Sequence, residues 1–162
     1  MYFKQGDIFW GVSEECLKKI YNISRKETHE RGQILFEEGS PADRFFSLVK
    51  GRVRLSIQRG GQAVYTVNRA GEAFGWSSLI DRGSYTATAE IIEDSILMVL
   101  DKVGLRKILH EYPQDGFIIF RRLARTLGER LLQSYAIIAD ASQHTPSVSH
   151  GTGQVQEEEE VI

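Results

Sequence analysis

The sequence predicts a mainly β fold with flanking α-helices, built as an antiparallel β-roll or jelly-roll barrel. Between residues 31 and 100, short apolar segments alternate with polar positions and are separated by glycine and proline, as in antiparallel barrels. Helical spacing of apolar residues precedes this region from residue 13 and follows it from residue 102. The 162 residues are 41% hydrophobic, which is enough for a single buried core.

The N-terminal helix is predicted to begin after Ser13 and to end near Asn22. Ser13 is a favoured N-cap residue, and two glutamates follow it in the first turn. Leu17 and Ile20 have the apolar spacing of a helix, and Cys16 lies in the same pattern. A single cysteine excludes an intrachain disulfide and a cysteine-based zinc site. We therefore expect Cys16 to pack in the core rather than to take part in redox chemistry.

The β region is predicted to contain six short strands. One predicted strand contains Val53, Leu55 and Ile57, which alternate with polar residues. One face of this strand is therefore expected to be buried and the other exposed to solvent. Residues 59–62 have the composition of a turn, and residues 63–68 return as the next strand. The other predicted strands cover residues 34–36, 45–49, 86–92 and 95–100.

Two C-terminal helices are predicted, a short one over residues 102–110 and a long one over about 114–139. In the long helix, small or apolar residues recur at alternating spacings of three and four, which is typical of a coiled-coil seam. The stripe consists of Phe117, Phe120, Ala124, Leu127, Leu131, Ser134 and Ile138. We interpret it as a homodimer interface, and packing against the protein's own barrel is the alternative. The globular domain is thus expected to span residues 1–140.

Residues 141–162 are predicted to form a flexible acidic tail, because they are polar and end in EEEEVI. Without the four glutamates at 157–160, the formal net charge of −2 becomes +2, which is too small to indicate nucleic-acid binding. A tail of this composition also has no apolar periodicity for a recognition helix. Direct DNA binding is therefore not expected.

Other function classes find little support in the sequence. The four histidines are not grouped on neighbouring strands, so neither a metal site nor metal-dependent catalysis is expected. No nucleophile–base pair is evident, which argues against an enzyme. No apolar run is long enough to cross a bilayer, and the N-terminus lacks a signal peptide. We expect a cytoplasmic protein that does not interact with membranes.

Four segments carry a resemblance to a known family. The first, RGQILFEEGSPADRFFSLVKGRVRL, has a glycine before a strand, an E-G-x-P-A turn and a bulky aromatic pair. AGEAFGWSSL, YTATAE and ILMVLDKVGLRKIL follow in the same order as in that family. The chain thus resembles the cyclic nucleotide-binding domain family, whose bacterial members include the catabolite activator protein. The resemblance covers residues 13–135 and implies a sensor domain for cAMP or cGMP, here standing alone without a helix-turn-helix.

The resemblance implies a phosphate-binding cassette at residues 74–87. A short helix after Gly75 would present backbone N–H groups to a cyclic phosphate, because glycine permits close approach. The ligand-lining residues implied are Phe74, Gly75, Trp76, Ser77, Ser78, Leu79, Thr86 and Ala87. However, Trp76 stands in place of the family Glu that binds the ribose, and Tyr85 in place of the Arg that binds the phosphate. Losing both charge-assisted hydrogen bonds would cost about 3 to 6 kcal/mol, or a factor of roughly 10² to 10⁴ in affinity.

Two arginines are candidates for the missing positive charge. Arg82 lies three positions before Tyr85, where it can turn inward or stay in water beside Asp81. Arg130 falls near the position from which the long helix of nucleotide-sensing relatives contacts the base. Trp76 and Tyr85 either stack against a different ligand or fill the pocket from within.

We interpret the chain as a non-enzymatic regulatory module that senses a small ligand and signals through its C-terminal helix. One alternative is a ligand-free dimeric adaptor that recruits a protein partner, with its pocket filled by Trp76 and Tyr85. The other is a transcriptional regulator that acts through a partner.

Overall fold

A computed structural model describes residues 8–57 and 63–141. Six strands lie between a short N-terminal helix and two C-terminal helices, which confirms the predicted fold class. In chain order the elements are α1 (Glu14–Ile23), β1 (Arg25–His29), β2 (Ile34–Phe36), β3 (Arg44–Ser56), β4 (Ala63–Val67), β5 (Ala73–Phe74), β6 (Thr88–Asp101), α2 (Lys102–Glu111) and α3 (Pro113–Ala141). The chain divides into two compact units, Met1–Arg125 and Thr126–Ile162. The predicted turn at 59–62 and the tail beyond residue 141 lie outside the described residues.

All strand pairs in the sheet are antiparallel. The strand order is β1-β6-β3-β4, while β2 also pairs with β6 and β5 pairs with β3. The two long strands β3 and β6 pair along most of their length, with register shifts between Leu48 and Val53. They form the frame from which the shorter strands and the loop between β5 and β6 are positioned.

The sequence predicted four short strands where the structure has the two long ones, β3 and β6. Residues 45–49 and 53–56 belong to one strand that continues through Gly51, which has a φ of 103°, and Ile57 lies just beyond the end of this strand. A Cβ at Gly51 would lie 2.2 Å from the Ser95 Oγ and 2.6 Å from the Ser95 Cα. Gly51 therefore allows β3 to cross β6 closely without ending. Residues 86–92 and 95–100 are likewise replaced by the single strand Thr88–Asp101, which leaves Thr86 and Ala87 outside it.

Strand β1 was not predicted, because its sequence RKETH contains no apolar alternation. It pairs with β6 from Arg25 opposite Val99 to His29 opposite Ser95. Its residues are exposed or half-buried, so backbone pairing rather than side-chain burial places it there.

Helix α1 confirms the prediction at its N-terminus. The Ser13 hydroxyl accepts a hydrogen bond from the Cys16 amide at 3.3 Å, as an N-cap does. The same hydroxyl donates to the buried Asp115 carboxylate at 2.6 Å, and the Ser13 amide donates to it at 2.8 Å. Cys16 is fully buried, and burial raises the pKa of its thiol from 9.0 to about 11. The expected packing role of Cys16 is therefore confirmed.

Candidate functional site

Residues 74–87 run from the last residue of β5 to the residue before β6. Near the start of this segment is a position where only glycine fits. Gly75 has a φ of +76°, in the left-handed region that L side chains rarely adopt. A Cβ there would lie 2.9 Å from the Phe46 ring and 3.1 Å from the Arg44 carbonyl oxygen. The backbone of the loop is therefore held directly against the start of β3. We refer to residues 74–87 as the cassette.

The expected short helix after Gly75 is a single 3₁₀ turn, Trp76–Ser78. A turn of three residues has almost no macrodipole, so its attraction for an anion is weaker than that of a full helix. The Ser78 amide donates to the Gly75 carbonyl at 3.1 Å, and the Ser78 hydroxyl donates to the same oxygen at 2.8 Å. The Ser78 amide is thus bonded within the turn. The sequence had predicted that this N–H group would be available to a ligand.

The amides of Trp76, Ser77 and Ala87 have no hydrogen-bond partner among the described residues. Trp76 and Ala87 are half-buried, and so is Thr86, whereas Ser77 is buried. These groups are what the cassette can offer to an anion or a polar ligand. Phe74 and Leu79 are fully buried and lie at the two sides of the turn.

Tyr85 is part of the core. It is only 3% exposed, and its ring stacks on Phe36 with 3.7 Å between ring centroids and 15° between planes. Its hydroxyl accepts from the Arg44 amide at 3.0 Å and donates to the Arg44 carbonyl at 2.7 Å. Burial raises the pKa of Tyr85, so the phenol stays neutral at physiological pH.

An aromatic cluster fills the space beside the cassette. Phe46 stacks on Phe74 at 5.1 Å and 11°, and Phe36 packs against Phe46 at 5.5 Å. Together with Tyr85, these rings form a continuous apolar layer within the buried core. Sequence reasoning did not include Phe36 or Phe46 among the site residues. The signal for Phe46 was the bulky pair at residues 45 and 46, in the first of the four segments that resemble the family.

The loop before Tyr85 is tied to the turn that precedes β3. The Ala42 amide donates to the Gly83 carbonyl at 3.0 Å, and Ser84 forms a bridge with Pro41. The Tyr85 amide donates to the Ser40 carbonyl at 3.0 Å. These backbone bonds hold the second half of the cassette in place.

Arg82, the first candidate for the missing charge, is not brought to Tyr85 by any described contact. Arg82 is exposed. Its neighbour Asp81 pairs with Arg106 of α2 at 2.9 Å rather than with Arg82. Arg130 belongs to the unit Thr126–Ile162, where its carbonyl accepts a hydrogen bond from the Ser134 hydroxyl at 3.0 Å.

Helix α3 buries a different face from the predicted seam. Its buried residues are Asp115, Gly116, Ile119 and Leu123. Seam residues Phe117 and Leu131 are 66% and 51% exposed, and Phe120 and Ile138 are exposed as well. Ala124 is exposed and Leu127 is half-buried. Within the unit Met1–Arg125, the stripe residues Phe117, Phe120 and Ala124 therefore lie off the buried face of α3.

Within residues 8–57 and 63–141, none of the helices combines the length and the apolar composition that a membrane span requires. The same residues contain no group of three or more His, Cys, Asp or Glu side chains placed to hold a metal ion.

Comparison with known proteins identifies similar domains. The family model for the cyclic nucleotide-binding domain matches residues 26–112. The CRP-like cAMP-activated global transcriptional regulator of Mycobacterium tuberculosis is 27% identical over 135 residues, which cover 82% of this chain and 58% of that protein. The chain thus spans less than two thirds of the length of this relative.

Solved structures show the same architecture. A cyclic nucleotide-binding domain from Methylobacillus flagellatus superimposes with a TM-score of 0.73 at 25% identity, covering 86% of this chain and 84% of that one. The N-terminal domain of a transcriptional regulator from Streptomyces coelicolor gives a TM-score of 0.66 at 26% identity, with 80% and 94% covered.

Proposed function

Because the chain belongs to the cyclic nucleotide-binding domain family, we propose that it is a non-enzymatic regulatory module that senses a small ligand through a diverged cassette. The observation that carries the proposal is the buried Tyr85, whose hydroxyl is bonded to both backbone polar groups of Arg44. In this family's pattern the same position carries the arginine for the phosphate. A neutral, buried phenol cannot take over that role.

The cassette is therefore a poor site for a cyclic phosphate. The hydrogen-bond donors that remain are the Thr86 hydroxyl and the amides of Trp76, Ser77 and Ala87. Arg82, the nearby candidate cation, is exposed to solvent. Each lost charge-assisted hydrogen bond is worth about 1.5 to 3 kcal/mol, so the absent Glu and Arg weaken binding by roughly 10² to 10⁴. A nucleotide that binds a complete cassette at micromolar concentration should bind here at millimolar concentration.

Isothermal titration with cAMP, and separately with cGMP, up to low millimolar ligand tests this proposal. We expect a dissociation constant in the millimolar range or no measurable heat. Arg82→Gln is the matched control: if Arg82 supplies no contact, the variant behaves like the wild type. A micromolar constant for the wild type would contradict the proposal, and its loss in Arg82→Gln would identify Arg82 as the replacement cation.

A second candidate function is a ligand-free interaction module. It is favoured by the stacking of Tyr85 on Phe36, which places an aromatic ring of the protein itself in the roll beside the cassette. Native mass spectrometry of the purified protein separates the two candidates. A ligand-free module should have the mass of one or two polypeptide chains with nothing added, whereas a bound small molecule would favour the sensor.

We further propose that α3 is the output element and forms a homodimer through the exposed stripe from Phe117 to Ile138. A parallel pair of such helices would bury the a and d positions of the heptads and leave the b positions in water. Leu131 lies on the stripe and Leu132 lies beside it, and both are exposed. Leu131→Glu should shift the protein from dimer to monomer in analytical ultracentrifugation, whereas Leu132→Glu should remain a dimer. Equal behaviour of the two variants would refute this interface.

A further inference from the structure

A cavity lies between the middle of the cassette and the helices α2 and α3. It has a volume of about 560 Å³, within the range of sites that bind small organic molecules. One wall is the segment that follows the 3₁₀ turn, and the others come from α2 and the first turns of α3. The lining residues are Leu79, Ile80, Asp81, Arg106, Leu109, His110, Pro113, Gly116, Phe117 and Phe120.

The tight corner between α2 and α3 forms part of the wall of this cavity. A Cβ at Gly116 would lie 3.1 Å from the Leu109 carbonyl oxygen, so glycine allows the two helices to meet closely there. Phe117 and Phe120 extend beyond this corner and remain exposed. Most of the lining is therefore apolar, with aromatic rings on one side.

The polar groups of the cavity are few and are arranged around one arginine. The Arg106 guanidinium pairs with the Asp81 carboxylate at 2.9 Å. Asp81 is 88% exposed at its side chain and Arg106 is 41% exposed, so this ion pair adds little to stability. His110 offers a second hydrogen-bonding group on the same helix as Arg106. The guanidinium thus already binds a carboxylate at the edge of an apolar cavity.

We propose that this cavity binds a small organic carboxylate with an apolar body. The carboxylate of the ligand replaces Asp81 on Arg106, because the fork of the guanidinium binds carboxylates with two parallel hydrogen bonds. The apolar body packs against Leu109, Phe117 and Phe120. A phosphate ester or a nucleotide fits less well, because the lining provides one guanidinium and a largely apolar wall.

Occupation of the cavity would change the cassette. Asp81 links the middle of the cassette to Arg106 of α2, and its release would remove this link while Gly83 stays bonded to Ala42. The cavity also contacts Phe117 and Phe120 of the proposed dimer stripe. The site is separate from the amides of the cassette, so it goes beyond the proposed cassette function and can exist whether or not that cassette binds a ligand.

The test is an NMR titration of the full chain with dodecanoate, kept below its micelle concentration, with dodecanol as the neutral counterpart of equal length. We expect dodecanoate to shift the amide resonances of residues 79–81 and 106–120, and to bind about tenfold more tightly than dodecanol. The tenfold ratio corresponds to one partly exposed charge-assisted hydrogen-bonding group.

Two variants with opposite expected effects keep the proposal falsifiable. Arg106→Gln should weaken dodecanoate binding about tenfold and leave dodecanol unchanged. Asp81→Asn removes the internal competitor from an exposed position, so it should strengthen dodecanoate binding several-fold. The proposal would be overturned by equal binding of acid and alcohol, by shifts confined to residues 126–141, or by no shifts at all. Because the ligands differ, a negative cAMP titration does not affect this outcome.

Discussion

Replacing Tyr85 by phenylalanine should lower the free energy of unfolding by about 2 to 3 kcal/mol. The substitution keeps the ring that stacks on Phe36 and removes only the hydroxyl. That hydroxyl makes two hydrogen bonds, at 3.0 Å from the Arg44 amide and at 2.7 Å to the Arg44 carbonyl. Each bond contributes about 0.5 to 1.5 kcal/mol, and a buried backbone group left without a partner adds to the loss. For a chain of this size the melting temperature should fall by roughly 5 to 10 °C.

Urea unfolding monitored by circular dichroism measures this change. Tyr135→Phe is the matched control, because Tyr135 is 56% exposed, and it should change stability by less than about 0.5 kcal/mol. If Tyr85→Phe is as stable as that control, the hydroxyl does not hold Arg44 in solution. Tyr85 would then be free to turn outward toward a ligand, and the proposal that its ring fills the pocket of the β-roll would fail.

Two further predictions concern the backbone of the cassette and the buried thiol. Gly75→Ala should destabilise the protein by about 2 kcal/mol more than Gly39→Ala in thermal unfolding. Both residues have a positive φ, but only at Gly75 would a Cβ lie 2.9 Å from the Phe46 ring. Equal losses of stability in the two variants would contradict the close contact. Burial raises the pKa of Cys16 from 9.0 to about 11, so its contribution to stability is complete below pH 9 and is lost as the pH rises through 11. Urea unfolding over this range should show the wild type losing up to about 2 kcal/mol more than Cys16→Ala, and parallel curves would refute the shift.

The fold class could be predicted from the sequence because its elements are local patterns. The Ser13 cap and the helical spacing after residue 102 gave the helices within one or two residues of their observed limits. The continuity of β3 could not be predicted in this way, since a glycine weakens a strand and is also a common residue of the turns between strands. Here Gly51 is needed because β6 passes too closely for a side chain, and that contact joins residues more than forty positions apart in sequence.

The sequence predicted a short helix after Gly75, where a 3₁₀ turn lies, but the role of the cassette residues depends on distant partners. The identity of Tyr85 indicated that a cation is missing, whereas its burial is decided by Phe36 and by the backbone of Arg44. No local pattern contains either contact. The same holds for Asp81, whose partner Arg106 lies 25 positions away on α2.

Three of the attachments of the cassette differ in strength, and this inequality indicates where a structural change would begin. The first point is Gly75, packed against Phe46, and the last is Tyr85, buried and bonded to Arg44. Both fix the cassette to the start of β3, and moving either one would break buried contacts. The middle point is the exposed pair of Asp81 and Arg106, which water and salt can replace at little cost. A ligand that competes for Arg106 therefore acts at the weakest attachment, and it does so on the side of the cassette that faces α2 and α3.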